Sequence, residues 1–338
     1  MEILGQIVYH KKYHKGVVIS QTEEQITIAF DTCELKFRYP TAFKQFLVLA
    51  DTELQERLMD EINEEAKKVA ALNEKNIVAT RPITPIQTKR KLRVERPNIA
   101  FKCNYCDGGK SSSAIGFNGV CSDRVIVNNI EVERRTWCCS EDSPCFGYYC
   151  GDLTRAQLED GFRDSGYVCY ESQMLRDWKA MAGIVQKGER KGQPMRLKNV
   201  QPSSLCVLTT RLPKSTEAER MIFAVFLVDE SYDGDDFEEG FVSTQSKYKI
   251  SLSMGEAEKM LFWRYHANEN NPGKEAWSSG LHRYLTDSEA VQILRDIAQI
   301  KRNTKDSELA NEFLSTFAKI VGIDVERVGN PNGVLANR

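Results

Sequence analysis

The cysteines of this 338-residue chain are concentrated, since seven of the ten lie between Cys103 and Cys150. The segment begins with Cys103-Asn104-Tyr105-Cys106, and two thiolates at this spacing can hold one Zn²⁺ from a tight turn. The glycines that follow would let backbone amides point at the sulfurs. The pattern predicts a structural zinc ion with this favoured ligand set: Cys103, Cys106, Cys138 and Cys145.

Two other interpretations of these cysteines stay open, an iron–sulfur cluster and burial as small apolar residues. Burial is favoured for Cys121. A catalytic zinc of the nucleobase-deaminase type needs Pro-Cys-x-x-Cys and an upstream histidine. Here Pro144-Cys145 is followed only by Cys150, and no histidine lies between His14 and His266. A thiolate nucleophile would also want a histidine base, so structural zinc is favoured.

A second stretch, residues 261–285, mixes aromatic and basic side chains that could stack on a base and bind phosphate. Its candidate nucleic-acid-binding residues are Trp263, Arg264, Tyr265, Trp277, His282 and Arg283. The alternative is that Phe262 and Trp263 end a helix over Met254–Tyr265 and pack into the core. Arg211, which follows a predicted strand, and three linker residues could contact phosphate as well. The linker residues are Lys89, Arg90 and Lys91, for which a solvated hinge is the alternative.

Acidic residues cluster between residues 229 and 239, and they could bind a metal ion for phosphodiester cleavage. The candidates are Asp229, Glu230, Asp233, Asp235 and Asp236. Such a run is more often a solvated loop. The sequence therefore keeps a metal-dependent nuclease only as an alternative to a binding protein.

The first 47 residues are dense in short runs rich in Val, Ile, Phe and Tyr, separated by polar turns. In Gln25–Phe30, apolar residues alternate with Gln25, Thr27 and Ala29, which predicts a strand with one buried face. Several such strands in so short a segment predict a small barrel.

This segment resembles the Tudor-like small barrels at the C-termini of UvrD/PcrA-type helicases and in CarD-like transcription factors. The matching residues are Gly5, Val8, His10, Tyr13, Gly16, Val18, Ile28, Phe30, Lys36 and Phe37. The family often has glycine after the aromatic residue, where this chain has His14. The resemblance implies docking on RNA polymerase, another protein or nucleic acid, whereas a barrel that packs only on its own chain is the alternative.

The C-terminal half predicts strands at Ser204–Thr210, Met221–Asp229 and Phe241–Leu252. The run MIFAVFLV is too continuously apolar for a surface strand and is expected to be central. These strands and their basic loops weakly resemble a PUA-like barrel of the EVE/YTH kind, a reader of modified bases. Amphipathic helices are predicted at Asp287–Lys301 and Ser307–Val321.

The fold class predicted is therefore α+β and multidomain. Six segments are expected: a small SH3/Tudor-like barrel (1–48), a helix (49–76), a basic linker (77–98), a Cys-rich metal-binding module (99–152), an α+β ligand-binding domain (153–325) and a flexible tail (326–338). The net charge of −2 argues against a wholly basic nucleic-acid binder but leaves room for local basic patches.

No apolar run approaches the roughly 18–20 residues that span a bilayer, and the N-terminus lacks the pattern of a secretion signal. We expect a cytoplasmic protein with no membrane partner. The function predicted is a nucleic-acid-associated binding protein, a reader of modified or foreign DNA or RNA bases braced by zinc. A protein-interaction adaptor without a small ligand is the remaining alternative.

Overall fold

The computed structural model describes residues 1–10, 13–22, 25–31, 34–44, 47–62, 97–110, 115–163, 166–185, 188–268, 271–277 and 280–336. The chain divides into two compact units, Met1–Arg93 and Val94–Arg338. The molecule is a mixed α+β protein. Within the described ranges, no helix is long and apolar enough to cross a membrane.

The first unit is a curled antiparallel half-barrel of five strands in the order β4-β3-β2-β1-β5. Its strands are β1 (Ile7–His10), β2 (His14–Gln21), β3 (Gln25–Phe30), β4 (Glu34–Arg38) and β5 (Leu47–Leu49). The alternation predicted for β3 is confirmed, because Ile26, Ile28 and Phe30 are buried. Gly16 of β2 lies against this core, and a Cβ there would come within 2.6 Å of Ile28 Cγ2.

His14 has a positive φ of 58°. It occupies the position at which the Tudor-like barrels often have glycine. A non-glycine residue in the left-handed region costs roughly 1–2 kcal/mol, so the turn into β2 is strained at this residue.

The outer face of the half-barrel carries several exposed apolar side chains. Tyr9 of β1 lies opposite Val48 of β5, and both side chains are about half exposed, at 50% and 53%. Val17 and Ile19 of β2 are exposed as well. We call these four residues the outer apolar face. The β2 residue opposite Tyr9 is the exposed Lys15, so a cation adjoins these apolar side chains. Exposed apolar side chains grouped on one face can mark an interaction site.

The segment after β4 departs from the sequence prediction. Leu47–Leu49 pairs with β1, and helix α1 is seen at residues 52–62, where it buries Leu58 and Ile62 against the half-barrel core. The helix was predicted over 49–76. Residues 63–76 and most of the linker, including Lys89, Arg90 and Lys91, lie outside the described residues.

The second unit is built on a five-stranded sheet in the order β12-β9-β8-β6-β13. Its strands are β6 (Asn98–Lys102), β8 (Leu205–Thr210), β9 (Met221–Leu227), β12 (Lys249–Ser251) and β13 (His282–Leu285). β6 and β8 are parallel, and the other neighbours are antiparallel. All seven residues of β9 are buried in the sheet interior, as the apolar run predicts.

A smaller sheet has the order β10-β11-β7, with β7 (Lys179–Met181), β10 (Glu230–Tyr232) and β11 (Phe241–Ser243). The helices of this unit are α2 (Asp123–Val127), α3 (Pro144–Cys150), α4 (Arg155–Arg163), α5 (Tyr170–Asp177), α6 (Met254–Ala257), α7 (Asp287–Lys301) and α8 (Ser307–Val321). The bounds of α7 and α8 match their predicted bounds.

The five-stranded sheet separates two cores. On one face, Val207 and Val225 pack with Phe313 and other residues of α7 and α8. On the other face, Phe223 of β9 stacks on Phe117 with ring centroids 3.9 Å apart. Phe117 belongs to the Cys-rich segment 99–152, which also contributes β6. This segment and residues 153–325, predicted as separate domains, thus share a sheet and a core.

The helix predicted over Met254–Tyr265 is instead two short pieces, α6 and a 3₁₀ turn at Phe262–Arg264. Between them, Met260 O accepts a hydrogen bond of 2.8 Å from Ile222 N of β9. Pairing with the sheet thus ends the helix.

The segment predicted as a flexible tail is hydrogen-bonded over its described part. Gly333 N donates to Arg264 O and Leu335 N to Trp263 O, both at 2.9 Å. Gly333 approaches so closely that a Cβ there would lie 2.5 Å from Trp263 O. Backbone contact at this distance requires glycine.

Candidate functional site

One edge of the five-stranded sheet collects charged residues. Lys102, the last residue of β6, lies in register with Thr209 near the end of the parallel strand β8. Arg211 directly follows β8, and Arg220 directly precedes the antiparallel strand β9. In open α/β sheets, ligands bind outside the carboxyl ends of parallel strands, and this edge has that position for β6 and β8.

Alternating ion pairs connect the residues at this edge. Glu133 Oε2 lies 2.9 Å from Arg135 Nη2 and 3.9 Å from Arg211 Nη2. Glu217 Oε2 lies 3.7 Å from Arg211 Nε and accepts a hydrogen bond of 3.1 Å from Arg220 Nη2. Together with Lys102 these residues form what we call the charged cluster: Lys102, Glu133, Arg135, Arg211, Glu217 and Arg220. Its cations outnumber its carboxylates by two.

Lys102 is the least compensated cation of the charged cluster. No ion pair of its ammonium occurs within the described part of the chain. Burial lowers the pKa of Lys102, Glu217 raises it, and the guanidiniums of Arg220, Arg135 and Arg211 lower it. Because neighbouring positive charge disfavours the ammonium, an anion placed beside it would be stabilised.

Four of the predicted nucleic-acid-binding residues are near this edge. Arg211 belongs to the charged cluster, and the Trp277 ring centroid lies 5.2 Å from Arg220 Cζ and 5.7 Å from Arg283 Cζ. His282 begins β13 in register with Phe101 of β6. Burial, followed by the charge of Arg283, lowers the pKa of His282 to about 4, so its ring is neutral near pH 7.

The other predicted aromatic residues are in the core. Trp263 and Tyr265 are almost fully buried, and the Tyr265 hydroxyl donates a hydrogen bond of 2.7 Å to Asp296 Oδ2. Trp277 is buried too, with 2% of its surface exposed. Arg264 is exposed and lies 6.0 Å from the Tyr265 ring. Phe262 and Trp263 therefore pack into the core, as the alternative prediction for residues 261–285 expected. A base could stack on Trp263 only if the core opened.

The favoured zinc ligands do not come together as a set. Cys103 Sγ lies 3.6 Å from Met174 Sδ and donates a weak hydrogen bond of 3.9 Å to Phe101 O. Burial raises the pKa of Cys138 to about 12, and the charges of Glu171, Cys145 and Cys139 add to the rise. Over the described residues, no group of three or more His, Cys, Asp or Glu side chains has the arrangement of a metal site. A zinc ion stays a prediction.

The carboxylates of the acidic segment are engaged in hydrogen bonds and ion pairs with nearby residues. Asp229 Oδ2 accepts hydrogen bonds from Gln245 N at 2.7 Å and Ser246 N at 2.9 Å. Asp235 Oδ1 likewise accepts hydrogen bonds from the backbone amides of Phe237 and Glu238. Glu230 accepts a hydrogen bond from the Ser243 hydroxyl, and Asp236 forms an ion pair with Arg196. The remaining candidate is Asp233. The described carboxylates do not converge on a common point, so the geometry does not favour a nuclease.

Glu239, at the end of this acidic segment, is a buried carboxyl group. Its Oε1 accepts a hydrogen bond from the Tyr170 hydroxyl, and its Oε2 is buried with no hydrogen-bond partner among the described residues. Burial raises the pKa of Glu239 from 4.5 to about 7, against a hydrogen bond from the backbone of Gly183 that lowers it. Ionising this group therefore opposes folding.

We expect Glu239→Gln to stabilise the protein at about pH 8 by roughly 1–3 kcal/mol, and the gain to disappear toward about pH 4.5. The folded-state pKa is raised, so the favourable contribution of protonated Glu239 is complete below its unfolded pKa and is lost as the pH rises through about 7. Urea unfolding of wild type and variant across this pH range measures the difference.

In that comparison, His282 has the opposite dependence, because its contribution is lost as the pH falls from 6.5 toward 4. It is common to both proteins and cancels. Glu141→Gln, at an exposed carboxylate, is the matched control and should change stability by less than about 0.5 kcal/mol. A Glu239→Gln variant that is less stable at about pH 8 would contradict the assignment.

Sequence reasoning found Arg211 but missed the rest of the charged cluster. Lys102 ends an apolar strand with a single cation, and Arg211 and Arg220 bracket the connection between two strong strands. The places of these three cations at strand ends can be read from the sequence. What was missing was the parallel pairing of β6 with β8, which brings them to one edge.

No known protein family, curated protein or solved structure matches this chain.

Proposed function

We propose that residues 94–338 bind nucleic acid and that phosphate groups contact the charged cluster. The observation that carries this proposal is the partly buried Lys102 at the carboxyl ends of β6 and β8, with three arginines around it and an excess of positive charge. Backbone phosphates supply much of the affinity of nucleic-acid-binding proteins.

Exposure separates the roles of the arginines. The side chains of Arg135 and Arg211 are 28% and 25% exposed and can reach a ligand, whereas that of Arg220 is only 1% exposed. Arg220 therefore supports the site from within. Glu133 and Glu217 hold the guanidiniums in fixed orientations, and a planar guanidinium held in this way suits bidentate phosphate binding.

Recognition of a modified or foreign base is the finer form of the proposal. The support for it is His282, whose neutral ring lies at the same sheet edge and whose buried Nδ1 has no hydrogen-bond partner in the described part of the chain. Such an atom could hydrogen-bond to the edge of an unstacked base. A PUA-like reader fold for this unit belongs to the same proposal.

We propose an SH3/Tudor-like docking role for the first unit. Its support is the outer apolar face, where Tyr9 and Val48 are adjacent and about half exposed. RNA polymerase or another protein is the partner proposed for this face, and the cytoplasm is the proposed location. Docking through apolar side chains does not require the charged cluster of the second unit, so the two proposed roles can be tested independently.

The decisive variant for nucleic-acid binding is Lys102→Gln. We expect it to weaken binding to short oligonucleotides about tenfold, because one charge-assisted contact is lost. Fluorescence anisotropy with plain and base-modified DNA and RNA at one fixed salt concentration measures the change. Lys319→Gln, at an exposed lysine on α8, is the matched control and should bind like the wild type.

Wild-type protein that binds no oligonucleotide, or a Lys102→Gln variant that binds as well as Lys319→Gln, would refute the proposed site. Equal weakening for all sequences indicates phosphate contact, whereas selective binding of modified probes supports the reader form. Binding of the protein to purified RNA polymerase, measured separately, tests docking by the first unit.

A further inference from the structure

Three aromatic side chains of the second unit lie together near the start of α5: Trp137, Tyr167 and Tyr170. The Tyr167 ring centroid is 5.6 Å from the ring centroid of Trp137 and 5.6 Å from that of Tyr170, and the Tyr167 plane makes an angle of 68° with each of the other two. We call these three residues the aromatic cluster. Steeply angled neighbouring rings are the walls of the aromatic cages that hold methylated ammonium groups by cation–π attraction.

The chain holds two of these rings in place and leaves the third accessible. Trp137 Nε1 donates a hydrogen bond of 2.8 Å to Val168 O. Tyr170 is the first residue of α5, which Cys169 caps. Tyr167, the middle ring of the cluster, is 40% exposed. The aromatic cluster is therefore ordered by local contacts and open to solvent at Tyr167.

Glu239 adds a carboxyl group to the aromatic cluster. Its Oε1 accepts a hydrogen bond from the Tyr170 hydroxyl, whereas its buried Oε2 has no hydrogen-bond partner among the described residues. The described groups that contact this carboxyl, the Tyr170 hydroxyl and the backbone of Gly183, are neutral. Buried acceptors are ordinarily hydrogen-bonded, so Oε2 is available to a donor that the described part of the chain does not supply.

The charged surroundings of the aromatic cluster are acidic. Burial raises the pKa of Tyr167, and the acidic groups of Cys169, Glu171 and Glu239 add to the rise. Within the described ranges, no Lys or Arg side chain lies over any of the three rings. Ring faces and carboxylates both attract positive charge, so the surroundings favour a cation as the ligand.

We propose that the aromatic cluster and Glu239 bind a dimethylammonium group, such as the end of a dimethylated lysine side chain. The rings would contact the methyl groups, and the single remaining N–H would donate a hydrogen bond to Glu239 Oε2. A trimethylammonium has no N–H for this oxygen. An unmethylated ammonium is strongly hydrated and carries three donors, for which aromatic walls offer no acceptors. The site would thus prefer one methylation state.

Fluorescence anisotropy with labelled peptides and the purified full chain tests the proposal. The peptides have random residues around a central lysine that carries no, two or three methyl groups. We expect the dimethylated peptides to bind about tenfold more tightly than the unmethylated ones and more tightly than the trimethylated ones. Competition by free dimethyllysine shows whether the group is taken from a protein side chain or from a small amine, and binding of either supports the site.

Two variants assign the binding to these residues. Tyr167→Leu keeps an apolar side chain without the ring, and we expect it to bind dimethylated peptides about tenfold more weakly. Glu239→Gln should bind about fivefold more weakly, because the acceptor loses its charge. Since Glu239→Gln is expected to be more stable than the wild type at about pH 8, its loss of binding at that pH would not reflect unfolding. Tyr149→Leu, at an exposed tyrosine of α3, is the matched control.

Three results would overturn the proposal. They are wild-type protein that binds neither the dimethylated peptides nor free dimethyllysine, equal affinity for dimethylated and unmethylated peptides, and a Tyr167→Leu variant that binds like Tyr149→Leu. The aromatic cluster and Glu239 are separate residues from the charged cluster, so none of these results depends on nucleic-acid binding.

Discussion

Replacing Trp263 by alanine is expected to lower the free energy of unfolding of residues 94–338 by about 3–5 kcal/mol. The side chain is fully buried, and its ring packs against Phe262 and Trp277 with centroids 5.2 and 6.2 Å away. Removal leaves a cavity that rigid neighbours fill only in part. All four tryptophans lie in the second unit, so their fluorescence during denaturation follows that unit.

Phe237→Ala is the matched control, because the Phe237 side chain is 61% exposed. It should change stability by less than about 0.5 kcal/mol. If Trp263→Ala instead left stability unchanged while nucleic-acid binding was lost, Trp263 would be a stacking residue and not a core residue. That outcome would favour the original prediction from sequence over the packing seen here.

Replacing Arg220 by methionine is expected to destabilise the second unit by about 3 kcal/mol. The guanidinium is buried and hydrogen-bonded to Glu217, and its Nη1 lies 3.5 Å from Thr209 Oγ1. Methionine restores much of the volume but leaves the Glu217 carboxylate without its nearest charge. This expected loss of stability lies at the low end of the range for buried ion pairs, because the Glu217 side chain is 24% exposed.

The double variant Glu217→Gln/Arg220→Met separates the two parts of this loss. It should recover a substantial share of the stability, since no uncompensated carboxylate remains. Denaturant unfolding of the single and double variants provides the comparison. Arg220→Met as stable as the wild type would show that the ion pair contributes nothing and would weaken the case for a preorganised charged cluster.

Local patterns in the sequence predicted several elements well. The alternation in Gln25–Phe30 and the apolar run that became β9 each determine which face is buried, whatever the rest of the chain does. The periodicity of Ile293 and Ile297 on α7, and of Phe313 and Phe317 on α8, likewise requires helices with one buried face. These signals are local, and the structure has the elements at the expected places.

The charged cluster could not be predicted in the same way. It depends on the register of Lys102 with Thr209, a pairing between residues far apart in sequence. Neither strand carries a local signal of its partner. For the aromatic stretch, residues 261–285, the sequence predicted a surface that the structure does not have. Trp263 and Tyr265 are of the residue types that stack on bases, but packing against α7 and Trp277 places them in the core.

The surroundings of the cysteines could not be predicted from their spacing. Cys103 and Cys106 form a regular pair in sequence, yet Cys103 immediately follows β6 and its side chain points toward Met174. Cys169 lies 19 residues beyond Cys150, outside the cysteine-rich segment. It is the N-cap of α5, where its Sγ accepts a hydrogen bond of 3.3 Å from Ser172 N.

The salt dependence of oligonucleotide binding tests the central claim most directly. If phosphates contact the charged cluster, the logarithm of the binding constant should fall with the logarithm of salt concentration with a slope of about −2 to −4 for the wild type. The slope for Lys102→Gln should be shallower by about one, and that for Lys319→Gln unchanged. Identical slopes for wild type and Lys102→Gln would contradict the claim that this sheet edge binds the nucleic-acid backbone.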